Sequence, residues 1–399
     1  MGQVMGDEDP GGLLRVPVER APVSLLELFF DLAFVFALTQ LSRELISNLT
    51  WAGAYQTLVL FLAVWWVWTV TVWLTNRLDP RRPVVQVVVL GIMVASLALA
   101  AVLSAAFGER GMVFASVLAA LHLGVTLFVT AALPQPERGT GWRLLAWSSG
   151  TAALWLTGGV TGGAPREALW SLAAAVDYAA FALRYPIPRL GRVTAPDWPV
   201  AAEHLAERHR QILIIALGEL ILITGLSFTR ADPTAARTGA FAVSILTTTL
   251  FWRIYVYRAG ERLHEAIAAA SDPVRLTRPM TLAHVAMVAG ILVTAVGDEL
   301  IISQPFGHSH PAWVAVLLGG PALFVLGRAR LEQTVFDRIS LDRPIALLAL
   351  LGLAAPLLFV PSLFAAVAVA VVLAAVVGFD ARHAYRHPTD PTAPRGDRP

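Results

Sequence analysis

The chain has 399 residues, of which 56% are hydrophobic and only 15% charged. A soluble globular chain carries about 25% charged residues, so an ordinary soluble domain is excluded. The basic residues are all arginine and sit in short joints between apolar runs, which excludes a nucleic-acid surface; the absence of cysteine excludes disulfides, thiolate nucleophiles and thiolate metal sites.

Residues 1–20, "MGQVMGDEDPGGLLRVPVER", are acidic and then Gly/Pro-rich, with no apolar h-region. They read as a cytoplasmic tail rather than a cleaved signal. Beyond them, apolar runs of about 20 residues recur along the chain, the length that crosses a hydrocarbon core of roughly 30 Å. The runs are continuous rather than alternating, which argues against a β-barrel. Twelve spans are predicted, near 22–46, 51–75, 83–106, 111–133, 142–162, 166–185, 208–229, 236–257, 278–301, 311–327, 342–360 and 362–380. The fold class is therefore an all-α polytopic membrane protein lying in a lipid bilayer.

Arginine placement sets the expected orientation, because cytoplasmic joints collect basic residues. With both termini inside, the opposite joints hold only Arg43, Arg110, Arg166, Arg230 and Arg237. The chain also repeats itself. "ERAPVSLLELFFDLAFVFALT" at 19–39 aligns without gaps with "ERHRQILIIALGELILITGLS" at 207–227, so that Arg20 falls on Arg208 and Asp31 on Glu219. Six spans per repeat is an even number, which predicts two parallel repeats related by an axis along the membrane normal. The expected units are residues 21–185 and 208–380, joined by a cytoplasmic linker at 186–207 and followed by a tail at 381–399.

The first span poses the chemical question. Its segment "ELFFDLAFVFAL" carries Glu27 and Asp31 in an apolar run, and an ionised acid at the bilayer centre costs about 2.5–3.5 kcal/mol. Arg20 precedes Asp31 by the same interval that separates Arg208 from Glu219, and that interval returns to one helix face roughly 16 Å further on. Each repeat is thus expected to carry an arginine at its cytoplasmic mouth and an acid deeper on the same stripe. The transport reading makes Glu27, Asp31 and Glu219 the lining of a path for a proton, ion or small solute, with Asp31 and Glu219 at similar depth. Glu19, Arg20, Glu207, Arg208 and Arg210 then form the mouth. The alternative is that the acids brace helices through hydrogen bonds.

Asp177 and His122 lie near the middle of the sixth and fourth spans and are open to both readings; a histidine there suits a proton relay. His284 reads as a helix-contact residue. Asp298 and Glu299 read as an interfacial polar rim. His308 and His310 have too few neighbours for a metal site. The Gly pairs at 158–159, 162–163 and 319–320 suggest close helix packing. No phosphate loop, GxSxG or HExxH is present, so neither an enzyme, a metal nor a cofactor is expected.

The run "ERAPVSLLELFFDLAFVFALTQLS" resembles the opening signature of the bacterial low temperature requirement protein A family, and "ERHRQILIIALGELILITG" resembles its second. The resemblance spans residues 15–380. It implies a polytopic inner-membrane protein connected with growth in the cold, and leaves two functional classes open: a transporter or channel, or a non-transporting membrane scaffold or stress factor.

Overall fold

A computed structural model describes residues 12–15, 23–135, 137–189, 191–193, 200–230, 232–257, 263, 273–307 and 310–386. Among these there are twelve α-helices and no strands. They are α1 (Leu25–Ser47), α2 (Trp51–Arg77), α3 (Pro83–Val102), α4 (Gly111–Ala132), α5 (Arg138–Val160), α6 (Gly163–Leu183), α7 (Ala202–Thr229), α8 (Ala235–Tyr255), α9 (Pro273–Ser303), α10 (Pro311–Phe336), α11 (Asp342–Gly352) and α12 (Ser362–Arg386). Glu19, Arg20 and both expected tails beyond residues 12–15 and 381–386 lie outside the described residues.

Eight of the helices, α1 to α4, α7, α9, α10 and α12, are long and apolar enough to cross a membrane. The eleventh expected span departs most from expectation. Instead of one helix over 342–360, α11 stops at Gly352 and a 3₁₀ turn follows at Pro356–Phe359. Pro356 lacks the N–H that would continue the α-helical ladder, and Pro361 follows before α12 begins.

Local chemistry starts the helices. Ser24 and Glu27 form a capping box at α1: the Ser24 hydroxyl accepts from the Glu27 amide, and the Glu27 carboxylate accepts from the Ser24 amide at 2.8 Å. Thr50 caps α2 through the Gly53 amide at 3.0 Å. Burial then sorts the helices. In α2, 78% of the apolar window is buried, against 28% in α3. α2 is a central helix, and α3 presents most of its surface outward.

The neighbour pairs of α1–α6 recur six helices later. α1 packs on α3 as α7 does on α9, α2 on α6 as α8 does on α12, and α4 on α5 as α10 does on α11. The two sets meet where α1 and α2 touch α7 and α9. The largest helix contact joins α9 and α10. There a Cβ on Gly320 would fall 2.4 Å from Thr294 Oγ1, so only glycine allows the approach.

Candidate functional site

The helix starts of α1 and α7 lie side by side, and their polar residues meet. Arg208 is fully buried and grips Asp31 with both terminal nitrogens, Nη1 to Oδ2 at 2.7 Å and Nη2 to Oδ1 at 2.8 Å. The Trp68 indole of α2 donates to the same carboxylate at 3.0 Å. Arg208 Nε is 3.8 Å from Glu27 Oε1, and the guanidinium lies 6.0 Å from the Trp68 ring centre. A planar fork against a carboxylate is the strongest ion-pair geometry available to a protein. None of Glu27, Asp31, His204 or Arg208 is more than 1% exposed.

The tautomer of His204 follows from its neighbours. The Asn76 amide is oriented by Ala201, whose N–H donates to Oδ1 and whose carbonyl accepts from Nδ2. Nδ2 therefore also faces His204 Nδ1, at 3.1 Å, as a donor. Nδ1 must accept, so the ring proton sits on Nε2 and is donated to Glu27 Oε1 at 2.7 Å. In this arrangement His204 is neutral. Two carboxylates, one guanidinium and one neutral imidazole share a dry helix contact.

The polar chain continues into the second set of helices. His209 stands edge-on to Trp68, with ring centres 5.1 Å apart, and 4.9 Å from His284. Both histidines donate Nδ1–H to a carbonyl one turn back, Leu205 and Met280, at 2.8 Å. Their Nε2 atoms face Thr281 at 3.1 Å and the Tyr255 hydroxyl at 3.2 Å. His284 is thus a helix-contact residue, as its sequence surroundings suggested.

Two expectations require correction. Arg208 is not at a mouth: it is sealed against Asp31, while Glu207 and Arg210 pair with each other on the exposed side of α7. Nor do Asp31 and Glu219 share a depth. Glu219 accepts from Thr39, further along α1. Since Arg208 is level with Asp31, Glu219 lies about 16 Å beyond that level along α7. The physical reason is the register between the helices. α7 begins at Ala202, well before the residue aligned with the start of α1, so its arginine meets the acid that the alignment had matched to Glu219.

The other acids and histidines are placed separately. Asp298 is buried, 3.2 Å from Thr224 Oγ1, and so is no rim residue; Glu299 lies 3.8 Å from exposed Arg230. His122 and Asp177 face each other at 4.0 Å in the bundle of α2, α4, α5 and α6, and neither ring nitrogen of His122 has a hydrogen-bond partner. Among the described residues no group of three His, Cys, Asp or Glu is arranged to hold a metal ion.

Sequence reasoning missed two groups of residues. Arg166, read as a loop arginine, is buried and donates to the carbonyls of Ala106, Gly108, Gly158, Gly159 and Thr161, tying the ends of α3 and α5 together. Arg343 on α11 pairs with Asp380 on α12 at 2.9 Å and lies 3.5 Å from Glu332 on α10. For His204 and Asn76 no local signal existed. For Glu27 one did: Ser-Leu-Leu-Glu before an apolar run is the capping-box pattern.

Comparison with known proteins agrees with this picture of a multi-helix membrane chain. No solved structure matches it. An uncharacterized protein of Rhizobium meliloti (strain 1021) is 32% identical over 327 residues, covering 81% of this chain and 80% of the relative. Residues 22–378 match the family described as Bacterial low temperature requirement A protein (LtrA), and the chain belongs to that family.

Proposed function

We propose that this integral membrane protein is a transporter or channel of the inner (plasma) membrane, with both termini cytoplasmic and no enzymatic activity, that moves an ion or small solute. The Glu27–His204–Asp31–Arg208 cluster is its electrostatic lock. The observation that carries this reading is the bidentate Asp31–Arg208 pair, sealed between α1 and α7. A buried ion pair is a poor way to gain stability, because well-packed apolar residues of similar volume often do as well or better. Ionisable residues inside a membrane protein are functional candidates by default. Opening the cluster would let α1 and α7 separate, and protonating Glu27 or Asp31 would weaken the bonds between them. The recurrence of neighbour pairs in α1–α6 and α7–α12 supports two repeats that move against each other at this contact.

The competing reading is a non-transporting scaffold or stress factor of cold adaptation, acting through lipids or protein partners. It is favoured by one observation: Glu27 and Asp31 are closed into helix contacts, neither more than 1% exposed. Flux decides between them. Proteoliposomes are screened for protons, alkali cations and small organic acids, comparing the wild type with the Asp31→Leu/Arg208→Leu double variant. The lock reading expects a folded double variant whose flux is lost or no longer responds to pH. Wild-type flux persisting unchanged in that variant, or no flux above empty vesicles in the wild type, overturns it.

A further inference from the structure

Two buried acids stand outside the lock. Glu219 on α7 and Asp298 on α9 are 6% and 4% exposed. Each faces a threonine that has a second partner. Thr39 Oγ1 on α1 bonds to Glu219 Oε1 and also lies 3.1 Å from the Val35 carbonyl one turn back. Thr224 Oγ1 on α7 lies 3.2 Å from Asp298 Oδ2 and 2.7 Å from the Leu220 carbonyl. Ser244 of α8, 1% exposed, faces Asp298 as well, and its hydroxyl has no hydrogen-bond partner. Among the described residues the one charge acting on Glu219 is exposed Arg43, a turn beyond Thr39, and none acts on Asp298. The adjacent Glu299 pairs with exposed Arg230 at 3.8 Å. Thr224 follows Glu219 by five residues, so the two acids stand at levels about 7.5 Å apart along α7.

We propose that Glu219 and Asp298 are reversible proton-binding sites, the places where this protein takes up and releases a proton. The hydroxyl partners carry the assignment. A threonine has one O–H to give and lone pairs with which to accept. When the acid is ionised, the threonine donates to it and leaves its own helix carbonyl. When the acid is protonated, the acid donates to the threonine, which turns its O–H to the carbonyl. Both states are hydrogen-bonded, and they differ by the rotation of one hydroxyl. The free Ser244 hydroxyl can likewise donate to an ionised Asp298 or accept from a protonated one. Asp31 is the opposite case. Its partners, the Arg208 nitrogens and the Trp68 indole, only donate, so a proton added there displaces a bond. A metal ion is a poor rival occupant. Each acid is joined by one or two hydroxyls, fewer oxygens than the roughly six that a hard cation gathers.

The inference rests on the transport reading for its role and deepens it by naming the proton as the ion, but its test needs no flux. Purified protein is followed by infrared difference spectroscopy between alkaline and mildly acidic pH, in H2O and in D2O. The expected result is two carboxylic C=O bands that shift in D2O, one missing in Glu219→Gln and the other in Asp298→Asn. Thr39→Val keeps the side-chain shape and removes the hydroxyl, so it should move the Glu219 band alone to higher frequency. Thr224→Val should do the same to the Asp298 band alone. Bands that neither acid variant removes, or that only one removes, overturn the pair. If an acid variant fails to fold, the valine variants decide: a band that stays in place in its valine variant overturns the assignment. Loss of both bands on adding sodium at fixed pH would mark cation sites and overturn it equally. Bands without any flux would leave the sites standing and remove the transport reading; flux without the bands would do the reverse.

Discussion

Asp31 and Asp177 are both acids in apolar helix bundles, and the chain treats them differently. Asp31 receives a two-pronged guanidinium, an indole N–H and a nearby second acid that is itself bonded to a histidine. Asp177 has Thr151 and Trp155 of α5 as hydrogen-bonding neighbours and at 4.0 Å faces His122, whose ring nitrogens have no hydrogen-bond partner. The energetic rule is the same in both places: a buried charge must be paired and hydrogen-bonded. In the α1–α7 contact the rule is met by fixed partners from three helices. In the α4–α6 contact the acid has neighbours from α5, and it is the histidine that is left without a hydrogen-bond partner. The first arrangement can only hold or break; in the second, His122 keeps hydrogen-bonding capacity that it does not use.

That contrast predicts a graded set of effects. The largest falls on Arg208. Arg208→Met leaves Asp31 without its counter-charge in a buried contact and should destabilise the protein by about 3–5 kcal/mol. Thermal unfolding in detergent measures it, and adding Asp31→Leu should recover most of the loss. A single variant within about 1 kcal/mol of the wild type, the usual worth of an exposed pair, would mean that the cluster is solvated and the contrast is wrong.

Glu27→Gln comes next. It keeps the size of the side chain but cannot accept from both Ser24 and His204 with two oxygens, and leaving one buried donor unmet costs about 1–3 kcal/mol. Loss of His204 order, followed by its imidazole proton signals, should accompany it.

A pair of double-mutant cycles sharpens the comparison directly. Asp31 and Arg208 should show a coupling of about 2–3 kcal/mol, whereas His122 and Asp177 should stay below about 0.5 kcal/mol. Equal couplings would erase the distinction between a closed cluster and an open pair. The smallest effect is expected for His122→Leu. Replacing an unpartnered polar group by an apolar one of similar size should be nearly neutral or slightly stabilising. A loss above about 2 kcal/mol would show that His122 is bonded in the folded protein, at the strength of a buried hydrogen bond.

Much of the fold was legible in the chain itself. Apolar runs of membrane length gave helices at nearly every expected position, because a segment in lipid has to satisfy its backbone internally. The capping box at Ser24 and Glu27 was legible too, although the run of apolar residues after it drew attention to Glu27 only as a misplaced charge. Gly320 shows the same kind of local legibility, since small residues mark close helix approach. Pro356 was a visible breaker within the eleventh segment and Pro361 one just after it, and they outweighed its hydropathy.

What the sequence by itself determined is the class of molecule, the order and extent of its helices, its family, and the presence of acids and arginines where lipid-facing residues could not be. Only the tertiary structure decided which of them meet. Asp31 and Arg208 are far apart in the chain, and internal alignment matched each to a different residue. Helical periodicity sets the face on which a side chain lies, but says nothing of how far one helix slides along another. That axial register is set by packing and by the demand of each buried charge for a partner. Here it moved Arg208 from the expected mouth to Asp31, and left Glu219 to Thr39 about three turns away along α7.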